Sequence, residues 1–122
     1  MEKRILVIED EPNISEALRF ILSRNGWQVD VSADGHAAIE TMRKDPPDLL
    51  ILDVMLPGLS GFDVLRSVRE VECTRDLPVL MLTAKGQGAD RAEAERLGVT
   101  RFMTKPFANA EVIAAVQDLA GT

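Results

Sequence analysis

Short continuous apolar runs and helix-spaced apolar residues alternate along the whole chain, and few folds tolerate that alternation. Ile5-Leu6-Val7-Ile8 is apolar at every position, the mark of a strand covered on both faces. Ile14, Ala17, Leu18, Ile21 and Leu22 then recur at helical spacing, with Pro12 suited to the first turn and Gly26 as the stop. Val29 and Val31 alternate with polar residues, as on an edge strand. Ala38, Ile39 and Met42 mark a short second helix that ends before Pro46-Pro47, and Leu49-Leu50-Ile51-Leu52 is another buried strand. A turn rich in Pro57, Gly58 and Gly61 precedes a helix carrying Val64, Leu65 and Val68. Pro78 to Leu82 reads as a fourth strand, Ala89 to Leu97 as a weaker helix stopped by Gly98, and Arg101 to Thr104 as a short fifth strand. Val112, Ile113, Val116, Leu119 and Ala120 form the last helix, with Asn109 as its expected N-cap.

Strands alternating with helices in this way predict an α/β fold: a doubly wound parallel sheet with helices on both faces and right-handed crossovers. At 122 residues one domain is expected. The last helix ends almost where the chain does, so residues 1–122 are expected to hold no second, output domain. The chain carries 14 Lys+Arg against 20 Asp+Glu, a net charge of −6, which disfavours nucleic acid or an anionic membrane as a direct partner. Lone Cys73 excludes an intrachain disulfide framework and a cysteine zinc cage, and fits a reducing cytosol. The apolar runs are too short for a signal-peptide core or a membrane span. A cytoplasmic protein is therefore expected.

In open α/β sheets, ligands bind beyond the carboxyl ends of the strands. Strand one ends at Glu9-Asp10-Glu11, strand three at Asp53, strand four at Thr83-Ala84 and strand five at Lys105-Pro106, whereas edge strand two offers Ser32 and Ala33. Glu9, Asp10 and Asp53 would converge on one rim. Like charges about 4 Å apart repel by about 4 kcal/mol at an effective dielectric of about 20, so such a cluster calls for a cation. Oxygen ligands without His or Cys favour a hard ion, Mg²⁺ or Mn²⁺. Lys105 and the Thr83 hydroxyl complete a set suited to a phosphoryl group, and a carboxylate can itself be the nucleophile that forms an acyl phosphate. Glu11 is a better candidate than Glu9 or Asp10 to cap the first helix.

Other motifs are weak. Gly86-Gln87-Gly88 starts a dinucleotide-like pattern, but Arg91 stands where the last glycine should be, and the segment follows the wrong strand. No phosphate-binding Walker sequence or serine nucleophile elbow is present, and His36 stands alone.

Four segments together resemble one family: Ile8-Glu9-Asp10-Glu11, Leu52-Asp53-Val54-Met55-Leu56-Pro57-Gly58 with Gly61, Leu82-Thr83-Ala84, and Thr104-Lys105-Pro106-Phe107. In order and spacing they are similar to the CheY-like receiver domain of two-component response regulators. The resemblance implies a flavodoxin-like (βα)5 sheet in the order 2-1-3-4-5. It implies Asp53 as phosphoacceptor, Asp10 as a direct Mg²⁺ ligand, Glu9 as a ligand acting through water, and the Met55 carbonyl as a further ligand. Thr83 and Lys105 become phosphoryl contacts, helped by the Ala84 backbone N–H, and Phe102 falls at the switch aromatic position. The Lys105-Pro106 bond is usually cis in such proteins. The donor would be a histidine kinase or a histidine phosphotransfer protein. The output would pass to a downstream protein or output domain through the face made by the last two helices and the last strand.

The chain departs from common relatives at several points. It has no Tyr, so Phe102 brings no hydroxyl to the switch position. Gly98-Val99-Thr100-Arg101 lacks acidic residues common in the DNA-binding subclass; Arg91 and Glu111 supply one pair of its dimer interface, but Arg101 and Ala115 do not supply the other. By the same resemblance, the side chains two positions beyond Asp53 and Thr83, Met55 and Lys85, would flank the approach of a hydrolytic water; neither would position it as a base, so a long-lived phosphorylated state is expected. Two rival readings are a receiver-like scaffold that does not use phosphorylation and a flavodoxin-type cofactor carrier. The intact acid, threonine and lysine set speaks against the first. The scarcity of aromatics, Trp27 and four Phe, speaks against the second.

Overall fold

The computed structural model describes residues 3–84 and 88–120. In chain order the elements are β1 (Arg4–Ile8), α1 (Pro12–Arg24), β2 (Gln28–Ser32), α2 (Gly35–Lys44), β3 (Leu49–Asp53) and α3 (Gly61–Glu70). A single 3-10 turn (Glu72–Thr74) precedes β4 (Val79–Ala84), α4 (Gly88–Arg96), β5 (Arg101–Lys105) and α5 (Asn109–Ala120). All strand pairs are parallel and the order is β2-β1-β3-β4-β5. The fold is the expected flavodoxin-like one.

The unbroken apolar runs explain why the sheet has two cores. Successive side chains point to opposite faces of a strand. Ile5, Val7, Leu49, Ile51, Leu80 and Leu82 therefore pack on one side against Leu18 and Leu22 of α1 and Val112 and Val116 of α5. Leu6, Ile8, Leu50, Leu52, Val79 and Met81 pack on the other against Ala38 and Met42 of α2 and Val64, Leu65 and Val68 of α3. Helix α4 adds one fully buried side chain to that second core, Ala94.

Several ends differ from the sequence reading. Strands β3, β4 and β5 run one or two residues further than their apolar runs, because Asp53 still pairs with Leu82, Thr83 with Thr104, and Ala84 with Lys105. Glu11 occupies the N-cap position of α1 but its side chain makes no cap hydrogen bond; it lies 3.7 Å from the Lys105 ammonium instead. Asn109 is not the N-cap of α5 but its first residue, and the Glu111 carboxylate accepts the Ala108 N–H at 2.9 Å, which satisfies the helix start from inside.

One glycine sets the position of Asp53. The Gly61 N–H donates to the Val54 carbonyl at 2.9 Å, so the start of α3 lies directly on the end of β3. A Cβ at Gly61 would collide with the Asp53 carbonyl oxygen and come within 2.9 Å of Val54 Cα. Gly58 differs: its φ of +77° requires the left-handed region, but nothing lies within 4 Å of an added Cβ. Gly58→Ala is expected to cost about 1 kcal/mol, the ordinary left-handed penalty. Gly61→Ala is expected to cost at least ~3 kcal/mol, because backbone must move. Urea unfolding of the two variants checks the ranking, and the reverse order would contradict it.

Candidate functional site

The register brings the carboxyl ends of β1, β3, β4 and β5 to one rim. Ile8 pairs with Leu52, Asp53 with Leu82, and Ala84 with Lys105. Glu9, Asp10 and Asp53 follow, and their carboxylate oxygens lie within 4.8 Å of one another. Glu9 and Asp53 are each only 2% exposed, whereas Asp10 is exposed. The Lys105 ammonium reaches Glu9 Oε1 at 3.0 Å and Asp53 Oδ1 at 3.2 Å. Glu9 also accepts the Glu11 N–H through Oε2 at 3.3 Å, while Oε1 faces Lys105 without a well-aligned hydrogen bond. The Lys105-Pro106 bond is cis.

Charge does not balance there. Three carboxylates meet one ammonium, which leaves two negative charges at full ionisation. Burial, reinforced by the neighbouring Asp53, pushes the Glu9 carboxyl up to about 7. Burial alone would lower the Lys105 ammonium, but Glu9 and Asp53 outweigh it and hold its pKa above the ordinary lysine value. An all-oxygen donor set with surplus negative charge fits a hard divalent cation.

The other residues singled out in the sequence fall around this cluster. Asp53, Met55 and Lys105 line one cavity of about 560 Å³ with Glu11, Ile14 and Phe107. The Met55 side chain is 71% exposed. Thr83 is buried near the end of β4, and its hydroxyl donates to Asp90 Oδ2 of α4 at 3.1 Å. Phe102 on β5 is half-buried against the second core, with the Arg91 guanidinium 5.3 Å from its ring centre. Lys85 lies outside the described residues. His36 is exposed on α2, away from these groups' elements.

Sequence reasoning missed Asp90 and the stacking of Arg91 on Phe102. Neither belongs to a local motif, and Asp90 lies seven positions from its partner. It also missed Glu11 beside Lys105, for which the acidic run after β1 was the available signal.

The comparisons agree with this geometry. Residues 5–117 match the response regulator receiver domain family. The chain belongs to that family. It is 40% identical over 117 residues to the phosphate regulon transcriptional regulatory protein PhoB of Escherichia coli, covering 96% of this chain and 51% of the relative. It is 41% identical to the alkaline phosphatase synthesis transcriptional regulatory protein PhoP of Bacillus subtilis, covering 96% and 48%. The chain thus spans about half the length of these curated relatives. Among solved structures, a response regulator of Chloroflexus aurantiacus superposes with a TM-score of 0.96 at 31% identity, covering 100% of both chains. The receiver domain of sensor histidine kinase PA1611 of Pseudomonas aeruginosa superposes with a TM-score of 0.91 at 30% identity, also covering 100% of both. That neighbour holds a magnesium ion coordinated in its active-site cleft. The receiver is a signalling module, and none of its helices is long and apolar enough to cross a membrane among the described residues.

The raised Glu9 carboxyl makes stability depend on pH. The folded receiver keeps the Glu9 proton up to about 7, while the unfolded chain releases it near the ordinary 4.5. That contribution is fully present below the unfolded value and is lost as pH rises through about 7. Without divalent cations, the urea midpoint of the wild type relative to Glu9→Gln is expected to rise as pH falls from about 8 to about 5. Parallel curves for the two proteins would contradict it.

Proposed function

We propose that this receiver accepts a phosphoryl group on Asp53 from the phosphohistidine of a histidine kinase or a histidine phosphotransfer protein, as a cytoplasmic switch. The observation that carries the reading is the pairing of buried Asp53 with the Lys105 ammonium at 3.2 Å, at the wall of an open cavity. Asp53 is the nucleophile: its oxygen forms the new bond to phosphorus, and the donor imidazole leaves with the electron pair of the broken N–P bond. Lys105 supplies fixed positive charge to the transferring group, and the Ala84 N–H and Thr83 hydroxyl are the donors for its remaining oxygens. Glu9, Asp10, Asp53 and the Met55 carbonyl would hold Mg²⁺, with Mn²⁺ as a second acceptable ion. Bound there, the ion would neutralise charge on the phosphoryl oxygens.

The receiver in this reading catalyses its own phosphorylation and dephosphorylation but turns over no external product. Its output is a change of the α4-β5-α5 face, to which Thr83 and Phe102 are coupled and on which a downstream protein or an output domain would dock. Residues 1–122 act as one receiver unit and, at a net charge of −6, make no direct contact with nucleic acid or membrane. The Arg91 guanidinium and the Glu111 carboxylate are both engaged within the chain.

Incubation with acetyl phosphate and Mg²⁺ should add one phosphoryl mass to the wild type and none to Asp53→Asn. Intact-mass measurement checks this, and an undiminished gain in the variant would move the acceptor elsewhere.

The lifetime of the phosphorylated state follows from the cavity wall. Met55 lines the same cavity as Asp53 and offers a side chain that cannot orient water by hydrogen bonding. Met55→Asn should speed loss of the phosphoryl group about threefold, about 0.7 kcal/mol of barrier. Decay of the phosphorylated mass after donor removal is the measurement, and a slower decay in the variant would contradict the assignment.

A further inference from the structure

We propose that the first turn of α4 is a clasp on the switch, with Asp90 as a positioning residue that withholds the Thr83 hydroxyl from the phosphoryl site. The inference rests on the phosphoacceptor reading of Asp53 and concerns how that site is regulated.

Four observations converge. The Thr83 hydroxyl, buried at the end of β4, donates to Asp90 Oδ2 at 3.1 Å. A hydroxyl carries one proton, so Thr83 donates either to Asp90 or to a phosphoryl oxygen. The next residue, Arg91, lays its guanidinium 5.3 Å from the ring centre of Phe102, at the other switch position. Consecutive residues of one helical turn thus hold both groups that the switch must move. The fourth observation is how little else holds this helix. Its sequence, GADRAEAER, has no apolar stripe, and Ala94 is its one member of the buried second core. Polar contacts therefore take a large share in placing the first turn of α4, and polar contacts can be exchanged without emptying a core.

The physical consequence is a competition. In the unphosphorylated receiver the carboxylate of Asp90 is the acceptor that Thr83 finds. A phosphoryl oxygen on Asp53 would be a charged rival acceptor. Accepting the Thr83 hydrogen bond in place of Asp90 frees that carboxylate, which is half-buried and can be reached by water, and loosens the turn that carries Arg91. Phe102 then loses its cover and is free to turn. The clasp biases the receiver toward the off state, so its removal must tighten binding of any phosphoryl mimic.

Beryllofluoride binding at fixed Mg²⁺, followed by titration calorimetry on the full chain, reads this bias. Asp90→Ala is expected to bind the mimic about fivefold more tightly than wild type, and Arg91→Ala about twofold. Asp90→Asn keeps an acceptor oxygen and is expected to lie between wild type and Asp90→Ala. The Thr83→Ala background separates the clasp from simpler effects. Loss of a negative charge near an anion site, or a shifted helix start, would tighten binding there too. Release of the Thr83 hydroxyl cannot, so Asp90→Ala in Thr83→Ala should change nothing. Unchanged affinity in Asp90→Ala, or equal tightening in both backgrounds, overturns the proposal. Mimic that fails to bind wild type, or binds Asp53→Asn equally well, overturns the phosphoacceptor reading and the clasp with it.

Discussion

The Lys105 ammonium, 3.0 Å from Glu9 and 3.2 Å from Asp53, makes the rim of this sheet possible. Two carboxylates that water barely reaches cannot stay ionised side by side without a nearby positive charge. Lys105 is that charge, and its position at the end of β5, two strands away from β3, ties the far part of the sheet to the acidic centre. It does not neutralise the cluster. Burial, reinforced by Asp53, raises the Glu9 carboxyl, and the surplus negative charge suits a divalent cation.

The rest of the fold serves that rim. The central strands are apolar on both faces, so two cores grip them and their carboxyl ends cannot shift relative to one another. Gly61 lets α3 begin against the backbone of Asp53, which leaves little slack there. Rigid strands with charged ends give a preorganised site, and the chemistry asked of it is positioning and charge compensation.

The alternation of strands and helices, the two cores and the acidic rim were legible because each is written locally, whereas the strand order came from the family resemblance. Uninterrupted apolar runs mark buried strands, and a charged residue after such a run marks the sheet's carboxyl edge. The ends of elements were harder. Glu11 has the right place for an α1 cap but faces Lys105, and no local pattern says which attraction prevails. Asn109 has the right chemistry for a cap, yet Glu111 reaches back to the Ala108 N–H and the helix begins one residue earlier than expected. The partner of Thr83 was not legible at all. Its bond to Asp90 depends on where a weakly amphipathic helix comes to rest, which is a property of the tertiary fold. The stacking of Arg91 on Phe102 has the same origin.

The two ends of α4 are held by different means. At its C-terminal side, Arg69 of α3 donates from Nε to the Gly98 carbonyl at 2.9 Å and from Nη1 to the carbonyls of Arg75 at 3.0 Å and Leu77 at 2.7 Å. Its Nη2 reaches the Thr100 hydroxyl at 3.3 Å, and that same oxygen accepts the Val79 N–H at 2.9 Å. One guanidinium thus binds the end of α4, the lead into β4 and the lead into β5 into a single node. The donors of this node, the Arg69 guanidinium and the Val79 N–H, are not among the groups gathered at the acidic rim. The first turn is held by Thr83 and Phe102, the residues at the switch positions. Such an arrangement stores no motion at the pinned end and places all of the exchangeable contact beside the rim. In the proposed switch, a charge change at Asp53 would have a short mechanical route to the α4-β5-α5 face: one hydrogen-bond donor redirected, one aromatic ring uncovered, and a helix free to move at the end nearest the site.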